Sequence, residues 1–275
     1  MANVLIEEQT MKDIANGIRT LTGKTDLMMP VEMISELEGL EGSIGGDSND
    51  EVLISFIERT ATEVVIPNGV TQIGKYLFYN NTTLEKLTMS DTVIKTDYRM
   101  CDSCSALNEV VFSKNLSQIG DYSFRNCSKL VVAELSESIT YIGQYAFNGC
   151  KILQLTKLPS NLKTINSSAF GDCTNLAITE LPEALTTLNG FYNCPNITIK
   201  KIPKSVTSVS SQAFYKCTGL TEMTFEGTPN SIYNNVFSGC DNLTVIRVPW
   251  SEDAVKNAPW GATNATIIYD YVEGE

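Results

Sequence analysis

The residues most able to do chemistry are the eight cysteines, and two of them stand three apart in Cys101-Asp-Ser-Cys104. A Cys-x-x-Cys pair does redox work when one thiol is exposed and acidified, and it binds zinc when two further ligands stand at comparable spacing. The chain has no histidine. That removes the Ser-His-Asp and Cys-His nucleophile arrangements together with the commonest metal ligand. The carboxylates are scattered, with no pair repeating in phase with a shielded pocket, and no glycine-rich phosphate loop follows a strand pattern. No catalytic, cofactor-binding or metal site is expected, and no cofactor.

The charge balance narrows the partners. With 32 acidic against 20 basic residues, the net charge is −12 over 275 residues. Such a chain repels phosphate backbones unless its cations cluster, and they do not, so nucleic acid is not an expected partner. No apolar stretch approaches the 20 or so residues that span a bilayer, so no membrane insertion is expected. The opening MANVLIEEQT carries Glu7 and Glu8 in place of a basic region and an apolar core. It does not read as a secretory signal, which makes reduced thiols the expected state of the cysteines.

The spacing of those cysteines reveals what must position them. Cys104, Cys127, Cys150 and Cys173 are 23 apart; Cys194 follows at 21, and Cys217 and Cys240 return to 23. Asn81 begins the column. Three residues earlier runs an aromatic column, Phe78, Phe124, Phe147, Phe170, Phe191, Phe214 and Phe237, with Cys101 at one rung. Three residues later stand Leu84, Leu107, Leu130, Leu153, Leu176, Ile197, Leu220 and Leu243, and eight later Met89, Phe112, Leu135, Leu158, Leu181, Ile202, Phe225 and Val248. A further column reads Ile73, Thr96, Ile119, Ile142, Ile165, Leu188, Val209 and Ile232. Both cysteines of the Cys-x-x-Cys pair fall on core columns, so they are expected to pack as small hydrophobes.

A unit of this length buries its apolar side only against neighbouring copies, so residues 66 to 249 are expected to form a solenoid. The stretch from the leucine column to Pro159, Pro182, Pro203 or Pro249 reads as a short strand ended by proline. The segment typified by Ile142 to Cys150 reads as a bend and one helical turn. The expected fold is an α/β leucine-rich-repeat solenoid of about eight coils spanning roughly 40 Å, with a small N-terminal helical segment. Units such as ITYIGQYAFNGCKILQLTKLP and LKTINSSAFGDCTNLAITELP resemble BspA-like leucine-rich repeats. The resemblance covers about two thirds of the chain and implies binding or adhesion; it supplies no catalytic residues.

The ends are read separately. Thr10 suits a helix N-cap, and Met11, Ile14, Ile18 and Leu21 then share one face before Gly23; Pro30 can open a second helix carrying Val31, Ile34 and Leu37. Residues 1 to 41 are expected to be a two-helix attachment or oligomerisation segment, the alternative being an ordinary N-terminal cap. Residues 42 to 50, Gly/Ser/Asp-rich, form a linker, and residues 51 to 65 are expected to supply N-terminal cap strands. Residues 250 to 275, with two tryptophans and Ile267, Ile268, Tyr269 and Tyr271, suit a C-terminal cap. MKDIANGIRTLTGKTDLMMPVEMISELEGL resembles the leader of phage and prophage tail-associated proteins of Gram-positive hosts. The ending with Ala258-Pro-Trp-Gly-Ala resembles that of phage-borne repeat proteins.

The strand face is the candidate binding face. It is expected to carry Lys86, Glu109, Val111, Glu134, Lys157, Glu180, Lys201, Glu222 and Arg247. Glu134, Lys157, Glu180 and Lys201 should sit one above another about 5 Å apart as an alternating ladder. Val132, Leu155, Ile178 and Ile199 would be a binding stripe if exposed. The position after each is Ala133, Thr156, Thr179 or Lys200, which favours a one-residue register shift that turns the stripe inward.

Together these readings suggest a non-enzymatic virion component. It would attach to other tail proteins through its N-terminal helices, form a homo-oligomer (a trimer by analogy), and use the solenoid on a host surface protein or glycan. The alternative is a bacterial cell-surface adhesin of the same repeat family.

Overall fold

The computed structural model describes residues 61 to 274, except 67, 253 and 273. The helices expected around Met11, Ile14, Ile18, Leu21, Val31, Ile34 and Leu37, the linker at 42 to 50 and most of the expected cap strands lie outside the described residues.

Where one helical turn per coil was expected, the chain is instead a parallel β-solenoid of about nine turns, with no helix among the described residues. The reason lies in where the backbone N–H groups go. Tyr145, Phe147 and Gly149 donate to the next coil, to the carbonyls of Ser167, Ala169 and Gly171, at 2.7 to 2.8 Å. Ala146, Asn148 and Cys150 instead close tight turns on Gly143, Tyr145 and Phe147. A helix would spend all its interior N–H groups within itself. Alternation along this stretch requires left-handed backbone about every fourth residue, and Tyr145 and Gly149 have φ of 52° and 77°. The non-glycine residues bear a cost of about 1 kcal/mol each, offset by the bonds between coils.

The longest sheet runs along a column not expected to be a strand at all. It contains β2 (Gln72–Ile73), β4 (Lys95–Thr96), β6 (Gln118–Ile119), β7 (Tyr141–Ile142), β8 (Thr164–Ile165), β9 (Thr187–Leu188), β11 (Ser208–Val209) and β13 (Ser231–Ile232), all parallel. The expected strand face is split in two. β1 (Glu63–Ile66), β3 (Lys86–Met89) and β5 (Glu109–Val111) form one sheet. β10 (Lys201–Ile202), β12 (Glu222–Phe225), β14 (Val245–Arg247) and β15 (Thr266–Ile268) form the other. Only an isolated Glu109–Val131 bridge reaches into the gap.

The core is a set of ladders. The rings from Phe124 through Phe147, Phe170, Phe191 and Phe214 to Phe237 stack nearly parallel with centroids 5.4 to 5.7 Å apart. Each ladder cysteine from Cys104 onward donates its thiol proton to the preceding coil's carbonyl at the Phe position. Examples are Cys150 to Phe124 at 3.1 Å and Cys217 to Phe191 at 2.8 Å. This explains cysteine rather than alanine: it is apolar enough for the core yet satisfies a buried carbonyl. In the first coil Asn81 uses its Oδ1 to accept from the N–H groups of Thr83 and Leu84. Thr96, in an aliphatic column, is accommodated because its Oγ1 accepts from Gly120 N–H and meets Ser123 Oγ, both at 3.0 Å.

All eight thiols are buried and free. Burial pushes Cys101, Cys127, Cys150, Cys173 and Cys217 up, and Cys194 and Cys240 up to about 12. Cys104 is likewise a thiol: its Sγ lies 2.9 Å from the Phe78 carbonyl, an acceptor that demands a proton, and among the described residues no cation is placed to compensate a buried thiolate there. A thiol reagent at pH 8 should therefore leave the native ladder cysteines unmodified and label all eight in denaturant. Rapid labelling of most of them in the native protein would overturn the ladder.

The 21-residue coil is shortened by two residues between Leu188 and Phe191. Gly190 makes this possible, since a Cβ there would collide with the Ile165 side chain. At the far end Trp250 and Trp260 are buried against Phe225, and Trp260 accepts Phe237 N–H on its carbonyl at 2.9 Å. β15 then pairs with β14 beyond the last cysteine coil.

Candidate binding face

The strand face takes its geometry from which residue of each coil is turned inward. In β3 and β5, and again in β12 and β14, the buried residue lies six after the Asn or Cys column: Leu87, Val110, Met223 and Ile246. In the coils between, it lies five after: Val132, Leu155, Ile178 and Ile199, all 4% exposed or less. The apolar stripe is therefore core. The next inward residue, eight after, is shared by both kinds of coil. The three-residue step thus falls before the strand in the outer coils and inside it in the middle ones. A strand cannot alternate through a three-residue step, so pairing lapses between β5 and β10.

The nine candidate side chains all reach this surface, but in three groups. At the N-terminal end Lys86 binds Glu109 at 2.7 Å, beside Val111, which is 42% exposed. At the C-terminal end Glu222 lies between Arg247 at 2.7 Å and Lys200 at 2.9 Å, and these cations hold its carboxyl below the usual range. Arg247 also lies over the Tyr271 ring, and Lys201 reaches Glu226 at 3.3 Å. Glu134, Lys157 and Glu180 occupy the middle coils and are exposed. No ion pair joins these three to one another among the described residues, so the expected alternating ladder is a set of neighbouring but separate charges.

Two clusters escaped the sequence reading. On the turn side, the rings of Tyr76, Tyr98, Tyr122 and Tyr145 pack in series 5.1 to 5.4 Å apart. The Arg99 guanidinium lies 5.2 and 5.1 Å from the Tyr98 and Tyr122 centroids. Beneath it Asp102, fully buried, accepts from Arg125 Nε at 3.0 Å and Nη2 at 2.7 Å. The signal was present: Tyr76, Arg99, Tyr122 and Tyr145 share one repeat column, and Asp102 and Arg125 share another. Asp102→Ala should cost about 1–3 kcal/mol in urea unfolding, less than a fully buried pair because both arginines are partly exposed. A change under about 0.5 kcal/mol would show that the pair does not hold these coils together.

Among the described residues no group of three or more Cys, Asp or Glu side chains is placed to hold a metal ion. No helix of the described residues is long and apolar enough to cross a membrane.

Among solved structures the chain is similar to a leucine-rich repeat protein of T. pallidum, at 19% identity over 67% of this chain and 78% of that one, with a TM-score of 0.45. It is also similar to one from Bacteroides ovatus, at 22% identity over 76% of this chain and 61% of that one, TM-score 0.48. The pneumococcal vaccine antigen PcpA is similar at 15% identity over 76% and 66%, TM-score 0.40. The chain thus spans about three fifths of the length of the Bacteroides protein. No curated protein matches it. The model of the BspA type leucine-rich repeat region matches in six copies, over residues 54–177 and 153–260. With these matches spanning most of the sequence, and with the phenylalanine and cysteine ladders that underlie them, the chain belongs to the BspA-type leucine-rich repeat family.

Proposed function

We propose that this protein is a non-enzymatic surface-binding module, a cell-surface leucine-rich-repeat adhesin, whose strand face recognises a surface protein or glycan. The observation that carries this reading is a division of labour among the columns. Interior columns repeat from coil to coil, whereas the outward strand position seven after the Asn or Cys column changes from Thr88 to Val111, Glu134, Lys157, Glu180, Lys201, Thr224 and Arg247. Repetition inside and variation outside suits a scaffold that displays a specific surface.

A second reading attaches the same module to a phage tail through residues 1 to 41, and what favours it is the resemblance of the two terminal segments. Immunogold labelling separates the two. Labelling of intact, non-lysogenic cells supports the adhesin, and labelling confined to purified tail particles supports the tail component. Binding itself is tested by incubating the fluorescently labelled full chain with candidate cells, where saturable binding is expected. Absence of binding to any cell type, together with turnover in a broad hydrolase screen, would contradict the proposal.

A further inference from the structure

We propose that the gap in the strand face between β5 and β10 is a docking site for an extended peptide bearing two basic residues three positions apart with an acidic residue between them. This inference rests on the binding reading above and deepens it by naming a place and a ligand class.

The first support is the backbone. Across the gap Val131, Gln154, Ala177 and Thr198 donate to the preceding coil, to the carbonyls of Asn108, Val132, Leu155 and Ile178 at 2.9 to 3.2 Å. The N–H and C=O groups of Thr156, Lys157, Thr179 and Glu180 have no hydrogen-bond partner among the described residues, and these four residues are exposed. In the C-terminal sheet the corresponding groups are laddered, as where Thr224 donates to Lys200 O at 2.8 Å. A row of unpaired peptide groups is a template for another backbone.

The second support is charge. Glu134, Lys157 and Glu180 share one column on successive coils, with alternating sign and no partner among one another. Glu137, whose acidity Lys157 also affects, is committed to Ser160 N–H and Oγ at 2.7 and 2.8 Å. The outer charges of the face, by contrast, are consumed in the Lys86–Glu109 and Glu222–Arg247 pairs.

The third support is spacing. Coils stack at about 4.8 Å, so Glu134 and Glu180 are about 10 Å apart along the axis. A polyproline II peptide repeats every three residues, about 9.3 Å, and has no internal hydrogen bonds. Laid along the solenoid axis, it would bring its two cations to Glu134 and Glu180 and its anion to Lys157. Its carbonyls would be free to accept from Thr156 and Thr179 N–H. The exposed residues of the gap, Ala133, Glu134, Thr156, Lys157, Thr179 and Glu180, include no aromatic ring to stack on a sugar, which favours a peptide over a glycan.

The test uses the full chain and fluorescein-labelled Pro-Lys-Glu-Pro-Lys-Pro, followed by anisotropy at low salt and by hydrogen exchange. Saturable binding is expected, with new protection at the amides of Thr156, Lys157, Thr179 and Glu180. The exposed double substitution Glu134→Lys/Glu180→Lys should weaken binding about tenfold or more, and the charge-reversed Pro-Glu-Lys-Pro-Glu-Pro should bind that variant better than the native chain. An unchanged thermal transition shows that the variant is folded. The inference is overturned by absence of saturable binding, by equal binding to both proteins, or by an uncharged oligosaccharide protecting the same amides when the peptide does not. If the double variant still binds cells as the native chain does while the peptide fails, this site falls and the surface-binding function stands.

Discussion

Ile178→Asp is expected to destabilise the protein by about 4 kcal/mol or more, a large part of the stability of an ordinary domain. Ile178 is fully buried in a coil whose neighbours Leu155 and Ile199 are buried as well. A carboxylate there has no described cation to meet it and must either ionise in an apolar interior or take up a proton, and both are unfavourable. The adjacent Thr179→Asp, on an exposed position, should change stability by no more than about 0.5 kcal/mol. Urea unfolding of the two variants reads the register directly. If the stripe of Val132, Leu155, Ile178 and Ile199 faced solvent, the ranking would reverse.

Phe170→Ala is expected to cost about 3–5 kcal/mol. Its ring lies between those of Phe147 and Phe191, 5.5 and 5.6 Å away and within 3° and 7° of parallel. Its carbonyl also receives the Cys194 thiol at 2.9 Å. Truncation leaves a void that backbone-bonded coils on both sides cannot close. Coupling between adjacent coils spreads the loss to both neighbours, so the urea transition should broaden as well as shift. Phe170→Leu keeps most of the volume and should cost less than half as much. A loss below about 1 kcal/mol for the alanine variant would mean that the stacked rings are not the element that joins coil to coil.

These two substitutions probe different degrees of legibility. The phenylalanine and cysteine ladders were readable because an interior that repeats must repeat its residue types, and the inward turn of Ile178 followed from Thr179 occupying the next position. The helical turn was misread. An Ala-Phe-Asn-Gly-Cys stretch has the apolar spacing of a helix, but hydrogen bonds from Phe147 and Gly149 to the next coil depend on that coil's presence and leave no trace in a single unit. Similarly, the sheet through Ile142 and Ile165 has strands of only two residues, too short for any alternation to register. The lapse of pairing between β5 and β10 is half visible in the sequence: side-chain types carry the register shift, while nothing in them reports that the backbone groups of Thr156 and Glu180 go unpaired. Asp102 and Arg125 were overlooked because the columns were read for apolar residues alone.

The surface reading depends on the strand face being open in its middle coils. Native-state hydrogen exchange of the free protein, resolved to single amides by NMR, tests this most directly. Thr156, Lys157, Thr179 and Glu180 should exchange nearly as fast as an unstructured peptide. The amides of Phe147 and Phe170, which donate to Ala169 and Gly190 at 2.7 and 2.9 Å, should be protected up to the global stability. Equal protection of both sets would mean that the strand ladder is continuous, and the gap with its proposed ligand site would not exist.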